Sequence, residues 1–466
     1  MGKVAIIGGG PGGYMAAIRA AQLGLEPVLF EKEAKLGGTC LHRGCIPTKA
    51  LVEAANRWQE LKAVADFGIN VPEGAAVDWA KVLSRKDGIV RRMSQGLDGL
   101  MKAQGVKVEH GLATLAGPHT VKCGEQEYNF DYIVLATGSE VSVPKVFPVD
   151  GERVLTSDHI LSYPRIPESM LVVGAGAVGM EFASLFARLG SQVTVIEAME
   201  RVLPLEDEDV SAEVKRLARK IGLKIITGAS IEQVNVSDEG VSVSGAGLPE
   251  KLPAELMLVA VGRRANLAAL GADELGIKME RGRICVDEYM RTSIPHIYAI
   301  GDLVPTPQLA HVASAEGILA VEHIAGLEAP PIDYDACPGA TYCWPEVASV
   351  GLSEAKAKER GFSVQVGKFP LAALGKANII GSTDGFIKVV ADSVPHRVLG
   401  VHMVGAHVTD MVAEAVVAVR NGLTLEQVAH SVHPHPTLSE AMVEAMHGAL
   451  GQPLSYVPPA PRRARS

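Results

Sequence analysis

The sequence has no excess of basic charge, no long apolar run and few cysteines. Its 466 residues carry 44 Lys and Arg against 53 Asp and Glu, a formal net charge of −9. Because an acidic surface repels a phosphate backbone, this balance argues against a nucleic-acid partner. No apolar run approaches the roughly 20 residues that a helix needs to cross a bilayer, so we expect no membrane span. Six cysteines in so long a chain exclude a disulfide scaffold and fit a reducing compartment, where a close pair is more often catalytic than structural.

The length and the first residues bound the organisation of the chain. At roughly 150 residues per domain, the chain predicts about three domains, each able to bury a core. A strand pattern begins at Lys3, and we expect no signal or transit segment before it. The sequence therefore predicts a soluble, cytoplasmic protein.

Two segments of the chain repeat one pattern. The first is VAIIGGGPGGYMAAIRAAQLGLEPVLFEKE and the second is LVVGAGAVGMEFASLFARLGSQVTVIEAME. Each predicts a buried strand, a tight glycine turn, a helix with a glycine at its C-cap, and a second strand. An offset of 166 residues aligns the shared residues: Gly8, Gly10 and Gly13 with Gly174, Gly176 and Gly179, Gly24 with Gly190, and Glu31 with Glu197.

This spacing suits a dinucleotide. The first glycine allows the turn, the second lets the backbone approach a pyrophosphate, and the third lets the helix pack on the strand. The helix N-terminus offers N–H groups and a positive dipole end to the phosphates, and the acid that ends the second strand accepts hydrogen bonds from a ribose diol. Two such units in register predict that the chain binds two dinucleotides through two Rossmann-like folds.

The acid of the second repeat bears on the choice of nicotinamide cofactor. A carboxylate at Glu197 accepts a 2′-hydroxyl and repels a 2′-phosphate. Arg201, four residues later, would favour a phosphate if it faced the site. We weight the carboxylate more heavily and expect NAD rather than NADP.

A cysteine pair follows the first repeat, in the segment GGTCLHRGCIPTKALVEAA. Cys40, His42 and Cys45 could hold zinc, but structural zinc usually takes a second pair of ligands at short spacing, and Cys337 and Cys343 lie almost 300 residues away. A structural disulfide is the second alternative, and a reducing compartment disfavours it. A redox-active dithiol beside a flavin explains the local sequence best.

The motif GGTCLHRGCIPTK resembles the active-site motif of the flavin-dependent disulfide reductases, the pyridine nucleotide-disulfide oxidoreductase family. Four more segments resemble that family, so that the match extends along essentially the whole chain. DYIVLATGS resembles the strand and turn that close over the flavin nucleotide, and IYAIGDL resembles the second FAD motif. VGRRAN resembles the segment that leaves the NAD domain, and YCWPEVASVGLSE resembles the start of the dimerisation domain.

The resemblance implies FAD at the first repeat and NAD at the second, with no metal. It implies that Lys49 lies near the flavin ring and pairs with Glu181. The implied FAD contacts are Gly8, Gly10, Gly13, Glu31, Gly38, Thr39, Lys49, Gly111, Thr137, Gly138, Ser139, Asp302, Gln308, Leu309, Ala310 and His311. The implied NAD contacts are Gly174, Gly176, Gly179, Glu197, Ile231 and Gly262.

A histidine near the C-terminus is the candidate base. HSVHPHPTLSEAM resembles the H-P-T-x-x-E stretch of the branch of the family that oxidises dihydrolipoamide, which implies His435 as the base and Glu440 as the group that orients it. The chemistry agrees, because a thiol with a pKa near 8.5 needs a base to attack at neutral pH, and an imidazole held by a carboxylate supplies one. The alternatives nearby are His402, His407, His430 and His433.

Under this resemblance, protein-bound dihydrolipoamide is oxidised to lipoamide through a Cys40–Cys45 disulfide and FAD, and NAD is reduced to NADH. Cys40 is the interchange sulfur that the substrate thiolate attacks, and Cys45 faces the flavin. The implied partners are a second copy of the chain, whose histidine and glutamate complete the site, and a lipoyl domain with the subunit-binding domain of an acyltransferase, or a lipoyl carrier protein. The chain would serve as the E3 component of a 2-oxoacid dehydrogenase or glycine cleavage complex.

The motifs predict an α/β chain with two Rossmann-like dinucleotide-binding domains and a C-terminal α+β dimerisation domain. The expected bounds are 1–142 for the FAD-binding domain, 143–263 for the NAD-binding domain, 264–334 for a central domain that completes the FAD site, 335–450 for the interface domain, and 451–466 for a tail.

Two alternatives stay within the family and one lies outside it. A glutathione-type reductase should carry a basic pair where Glu197 stands, and a mercuric reductase needs a C-terminal cysteine pair, whereas no cysteine follows Cys343. The third alternative is a flavin-bearing scaffold that docks on an acyltransferase core, which retention of both cysteines and of the His–Glu pair argues against. Cys343-Trp344 replaces a Thr-His pair seen in many relatives, and we expect a buried, inert thiol there.

Overall fold

The computed structural model describes residues 2–268 and 270–457. Its contacts divide the chain into two compact units. The first unit comprises the residues up to Ile166 together with Leu258–Tyr334, and the second comprises Pro167–Met257 together with the residues from Asp335 onward. The domain bounds expected from the sequence stay a prediction, and residues 458–466 of the expected tail lie outside the described ranges.

Helices and strands alternate through much of the described chain, as an α/β fold requires. The helices are α1 (Pro11–Gln22), α2 (Gly38–Arg43), α3 (Cys45–Ala63), α4 (Trp79–Ala103), α5 (Ser157–Ile160), α6 (Ala177–Leu189), α7 (Glu208–Ala218), α8 (Ala310–Ile324), α9 (Glu354–Glu359), α10 (Gly375–Ile379), α11 (Val408–Arg420), α12 (Leu425–Ala429) and α13 (Glu440–Ala449). The strands are β1 (Lys3–Ile7), β2 (Glu26–Glu31), β3 (Lys107–His110), β4 (Ala113–Gly117), β5 (Thr120–Cys123), β6 (Gln126–Asn129), β7 (Tyr132–Leu135), β8 (Ser139–Val141), β9 (Val154–Thr156), β10 (Ser169–Val173), β11 (Gln192–Glu197), β12 (Lys224–Thr227), β13 (Gln233–Ser237), β14 (Gly240–Ser244), β15 (Leu252–Ala254), β16 (Leu256–Val259), β17 (Arg263–Ala265), β18 (Met279–Glu280), β19 (Arg283–Ile284), β20 (Ile297–Ala299), β21 (Gly339–Thr341), β22 (Glu346–Gly351), β23 (Val364–Pro370), β24 (Phe386–Asp392) and β25 (Val398–Gly405). Short 3₁₀ turns span Val64–Phe67, Arg219–Ile221, Gly301–Leu303, Tyr334–Ala336 and Leu371–Ala373.

The first unit contains a five-stranded parallel sheet in the order β20-β7-β1-β2-β3. Its central strand β1 is buried from Val4 onward, because one face of the strand (Val4 and Ile6) packs on α1 and α8 and the other (Ala5 and Ile7) packs on strands β4 and β5. Helices α1 and α8 pack together on this sheet so closely that a Cβ atom at Gly317 would lie 2.5 Å from the carbonyl oxygen of Gly12. A second layer holds the antiparallel strands β4, β5 and β6.

The second unit contains parallel strands β12, β11 and β10, in that order, and a five-stranded antiparallel sheet in the order β21-β22-β25-β24-β23. Strand β25 is buried along its whole length. Helix α11 packs on β22 and β25, and α13 packs on β23 and β24, so that this sheet is covered by helices. The two parallel sheets and the antiparallel sheet confirm the predicted fold class.

A buried lysine of the antiparallel sheet forms ion pairs with carboxylates at the start of α7. Lys388 of β24 is 3% exposed, and its Nζ atom lies 2.9 Å from Asp207, 3.1 Å from Asp209 and 2.9 Å from Glu354. Burial alone would lower the pKa of Lys388, but the surrounding carboxylates outweigh it and raise that pKa. Because a buried charge needs partners, these three carboxylates hold Lys388 in its charged form.

Within residues 2–268 and 270–457, no helix is both long and apolar enough to span a membrane.

Candidate active site

The glycine turn of the first repeat packs with almost no room for side chains. A Cβ atom at Gly13 would lie 1.8 Å from the carbonyl oxygen of Gly8, and one at Gly179 would lie 1.9 Å from that of Gly174. Both pairs stand where a helix crosses close to the end of a strand, so the same steric requirement recurs at the offset predicted from the sequence. The two repeats therefore form matching turns in the two units.

The helices that follow these turns have N-termini suited to phosphates. Neither Gly10 nor Gly176, the N-cap residues of α1 and α6, offers a side chain to the first-turn N–H groups. A Cβ atom at Gly176 would meet nothing within 4 Å, and one at Gly10 would meet only the Cα atom of Gly38, at 3.9 Å. This open space in front of N–H donors that no N-cap side chain covers fits the pyrophosphate of a dinucleotide. The residues thus fit FAD at the first turn and NAD at the second.

The acidic residues of both repeats lie where the prediction places them. Glu31 and Glu197 end β2 and β11, and each is less than a tenth exposed. The Glu31 carboxylate accepts the N–H of Gly9 at 2.7 Å, and the Glu197 carboxylate accepts the N–H of Ala175 at 2.6 Å. Each acid is therefore fixed beside its own glycine turn, at the edge where a ribose would lie.

Arg201, the residue that would favour NADP, is directed elsewhere. Its guanidinium donates to the carbonyl of Pro204 at 3.0 Å and lies 3.7 Å from Glu208. Because the group beside the second turn is the carboxylate of Glu197, the geometry favours a free 2′-hydroxyl.

The two cysteines of the motif are in hydrogen-bond contact as thiols. Cys40 lies on α2 and Cys45 is the first residue of α3, both half-buried. The hydrogen bond to Cys45, followed by burial, raises the pKa of the Cys40 thiol. Cys45 stands at the N-terminus of a 19-residue helix, where the positive dipole end stabilises a thiolate. Lys49 follows one turn later and acts in the opposite direction to burial, since its charge lowers the pKa of Cys40.

Tyr14 is a neighbour of this pair that the motif analysis did not single out. It lies in the first turn of α1, and burial together with the nearby charges of Cys40 and Cys45 raises its pKa. The sequence could have indicated this position, because Tyr14 follows Gly10 by four residues, a spacing that places a helix side chain above the glycine turn.

The predicted flavin contacts Ser139 and Asp302 are brought together. The Ser139 hydroxyl donates to the Asp302 carboxylate. Arg263, which the sequence analysis placed only in the segment VGRRAN, donates to the Ser139 hydroxyl and carbonyl, both at 2.7 Å. It also reaches the hydroxyl of Thr39 at 3.4 Å. Arg263 therefore adds a cation to the predicted FAD site.

The remaining predicted FAD contacts lie in the same unit. The Thr137 hydroxyl donates to the carbonyl of Asn266 at 2.8 Å, which fixes the turn at Gly138. Gly111 donates its N–H to the carbonyl of Glu31 at 2.8 Å, at the end of β2. Leu309 is the N-cap of α8, so the stretch from Gln308 to His311 forms the entrance to that helix.

The second unit holds Ile231 before β13 and Glu181 within α6. The Glu181 carboxylate, 5% exposed, accepts the N–H of Tyr342 at 3.0 Å. The neighbouring Cys343 is buried, and burial followed by the charge of Glu181 raises the pKa of its thiol. An inert thiol is thus the role that the surroundings of Cys343 favour. Gly262 belongs to the first unit, and the predicted pairing of Lys49 with Glu181 stays a prediction.

His435 and Glu440 form the predicted pair. The Nδ1 atom of His435 lies 2.8 Å from a Glu440 carboxylate oxygen, and the other oxygen accepts the N–H of Thr437 at 2.8 Å. Burial alone would raise the pKa of Glu440, but the Thr437 N–H and the His435 ring outweigh it and lower that pKa. A carboxylate only accepts, so Nδ1 carries the proton and Nε2 is left to take one from a substrate. The His435 side chain is 78% exposed, which makes Nε2 accessible.

The surroundings of two other nearby histidines suit them less to act as a base. His402 is 3% exposed on β25, and its Nε2 atom donates to the carbonyl of Leu352. His433 uses both ring nitrogens, one with the carbonyl of Ser431 and one with Glu414 at 2.7 Å. Neither ring therefore presents an accessible, unprotonated nitrogen to a substrate.

Comparisons with known proteins agree with this arrangement. Residues 2–317 match the model of the pyridine nucleotide-disulphide oxidoreductase family, and residues 337–446 match its dimerisation domain. The chain belongs to this family. The dimerisation domain, which contains both His435 and Glu440, supports a homodimer.

Similar curated proteins are named dihydrolipoyl dehydrogenase. The one from Bacillus subtilis is 43% identical over 97% of this chain and 99% of its own length, and the one from Zymomonas mobilis is 40% identical over 97% and 98%. Among solved structures, LpdA from Mycobacterium tuberculosis superposes with a TM-score of 0.90 at 25% identity, over 96% of this chain and 99% of that one. The flavoprotein disulfide reductase RclA from Escherichia coli gives 0.85 at 26% identity, over 95% and 99%. Membership of the family implies an enzyme that uses FAD and NAD.

Proposed function

We propose that this chain oxidises dihydrolipoamide to lipoamide and reduces NAD to NADH, using Cys40 and Cys45 as a redox pair. The observation that carries the proposal is the cysteine pair itself, held in contact at the start of α3 with Lys49 one turn away. The curated relatives named dihydrolipoyl dehydrogenase, each aligned over nearly its full length, support the substrate.

The base acts first. With Glu440 on Nδ1, the Nε2 atom of His435 takes the proton from one thiol of the substrate. The resulting thiolate attacks the sulfur of Cys40 and breaks the Cys40–Cys45 disulfide, so that a mixed disulfide forms and Cys45 leaves as a thiolate. The second substrate thiol then attacks the mixed disulfide, which releases lipoamide and leaves Cys40 reduced.

The chain stabilises the leaving group. Cys45 begins a long helix and lies one turn from Lys49, so that both the helix dipole and a cation favour its thiolate. Bound FAD supplies the transfer of the two electrons from the reduced pair to NAD. Because Cys40 and Cys45 remain in contact, their sulfurs can form the disulfide again.

We propose that the acting base is the partner subunit's His435. The histidine and its glutamate both lie within the dimerisation segment, and the ring is exposed in the single chain. A dimer would then be required for turnover. Activity per chain should fall on dilution below the dimer dissociation constant, and undiminished activity in a verified monomer would contradict this arrangement.

We also propose that the lipoyl group arrives on another chain, as a lipoyl domain of an acyltransferase or a lipoyl carrier protein. An exposed histidine suits a substrate carried on a flexible arm. We retain the five-part domain division, with its predicted FAD and NAD segments, as part of this proposal.

The test is NADH formation from free dihydrolipoamide by the FAD-loaded full chain, with NADP and glutathione as control reactants. We expect NADH formation that depends on dihydrolipoamide and is much weaker with NADP. Turnover with glutathione and NADPH, but none with dihydrolipoamide, would overturn the substrate and keep the disulfide chemistry.

A further inference from the structure

A buried carboxylate lies behind the predicted FAD site, on a residue that no motif singled out. Glu316, in the middle of α8, is 0% exposed. One carboxylate oxygen accepts the N–H of Gly301 at 2.6 Å, and the other accepts the hydroxyl of Tyr334 at 2.9 Å. Burying a carboxylate is costly unless its oxygens are hydrogen-bonded, so these two bonds help to stabilise Glu316 at this position.

The N–H that Glu316 holds belongs to the turn that carries Asp302. Gly301 opens the 3₁₀ turn Gly301–Leu303 with φ +66°, a conformation that favours glycine. Asp302 is bound at its side chain by Ser139 and at its main-chain carbonyl by Arg283. The turn is thus fixed at its N–H, its carbonyl and its carboxylate by three different parts of the chain.

The helix that carries Glu316 also contacts the first glycine turn. The Ser314 hydroxyl lies 3.3 Å from the carbonyl of Pro11, and Gly317 packs on the carbonyl of Gly12. One rigid helix therefore touches both the phosphate-binding turn and the turn of Asp302. A bond from this helix to Gly301 sets the position of one turn relative to the other.

We propose that Glu316 is a positioning residue for FAD, which presents Asp302 by holding the N–H of Gly301. It acts through the turn and does not touch the cofactor. The inference rests on the proposed function, because it takes Asp302 as a flavin contact. A competing role is purely structural: Glu316 would stabilise the core of the unit without affecting how FAD is held.

The experiment compares FAD dissociation constants of the full chain, measured by titrating FAD into flavin-depleted protein. Glu316→Ala removes the acceptor and leaves the Gly301 N–H without its partner, so we expect its dissociation constant to rise about tenfold or more. Glu316→Gln keeps an oxygen for the Gly301 N–H and should stay within about threefold of wild type. A positioning role requires that the amide of Glu316→Gln restores the FAD affinity that Glu316→Ala loses.

Glu322→Ala is the matched control. Glu322 lies on the same helix and pairs with Arg19 of α1 at 2.6 Å, but it does not contact the Gly301 turn. We expect its FAD affinity to equal that of wild type. Thermal unfolding of each flavin-depleted variant separates a loss of affinity from a loss of fold.

Equal FAD affinity for Glu316→Ala and Glu322→Ala would overturn the inference, and so would equal losses in Glu316→Ala and Glu316→Gln. If Glu316→Ala does not fold, Glu316→Asp decides, because its shorter side chain keeps the charge but draws back from Gly301. It should weaken FAD binding, and unchanged binding would overturn the inference. Wild-type protein that binds FAD but does not oxidise dihydrolipoamide would refute the proposed substrate alone.

Discussion

Replacing Glu440 by Gln tests how the base is activated. The change keeps an oxygen that can accept the Nδ1 proton of His435, now 2.8 Å away, but removes the negative charge. A hydrogen bond to a charged group contributes about 1.5–3 kcal/mol, and about 1.4 kcal/mol corresponds to tenfold in rate. If half or more of that stabilisation is expressed when the imidazole takes the substrate proton, turnover should fall between a fewfold and about 150-fold.

The assay is steady-state NADH formation from dihydrolipoamide at saturating NAD. The chain offers a matched control in the pair formed by His433, which lies between α12 and α13, and Glu414 of α11, whose atoms lie 2.7 Å apart. Glu414→Gln makes the same chemical change at a pair with no assigned role, and we expect turnover within about threefold of wild type. Equal effects of the two changes, or full activity of Glu440→Gln, would refute the assignment of Glu440.

Further predictions concern stability and cofactor choice. Lys388→Met leaves the 2%-exposed Asp207 without its cation and should lower the free energy of unfolding by about 3–5 kcal/mol, measured by chemical denaturation, and adding Asp207→Asn should recover part of the loss. Burial alone would raise the pKa of Asp207, but Lys388 holds that pKa below its usual range. The stability that the pair contributes is therefore present above the ordinary aspartate pKa of about 3.9. It is lost as the pH falls through the lowered pKa. Denaturation at pH 7 and pH 3 should therefore show a smaller acid loss for Lys388→Met than for wild type, and an equal loss would contradict the pairing. Glu197→Ala removes the carboxylate beside the second glycine turn. It should lower kcat/KM for NAD by about tenfold, with little loss of kcat/KM for NADP. An equal loss with both cofactors would contradict a role of Glu197 in discriminating between them.

The sequence predicted the parts of the site that depend on local spacing. The glycine turns, the acids that end β2 and β11 and the strand Lys3–Ile7 follow from short patterns, since a turn, a helix start and a strand end are each set within a few residues. The pair His435–Glu440 also spans only five positions, and its role was what the family resemblance implied. Such features depend on residues that are close together in the sequence.

Contacts between distant segments were not predictable in this way. Arg263 meets Ser139 across 124 positions, and Lys388 meets Asp207 across 181. Glu316 carries no motif, because its role depends on where the chain brings the turn of Gly301. The sequence did predict that the segment after the second repeat returns to the FAD site, but not that Pro167–Met257 and the residues from Asp335 onward would form one compact unit. Tertiary packing, rather than local preference, decides these features.

The most direct test of the account compares NADH formation from dihydrolipoamide by three FAD-loaded proteins: wild type, Cys45→Ser and Cys285→Ser. Cys285 is a half-buried thiol of the same unit with no assigned role, so its replacement controls for the loss of a thiol. Because Cys45 is proposed to form the redox disulfide, Cys45→Ser should lose turnover by at least about a thousandfold while Cys285→Ser keeps it. Turnover by Cys45→Ser within tenfold of wild type would contradict the claim that the pair of Cys40 and Cys45 carries the reaction.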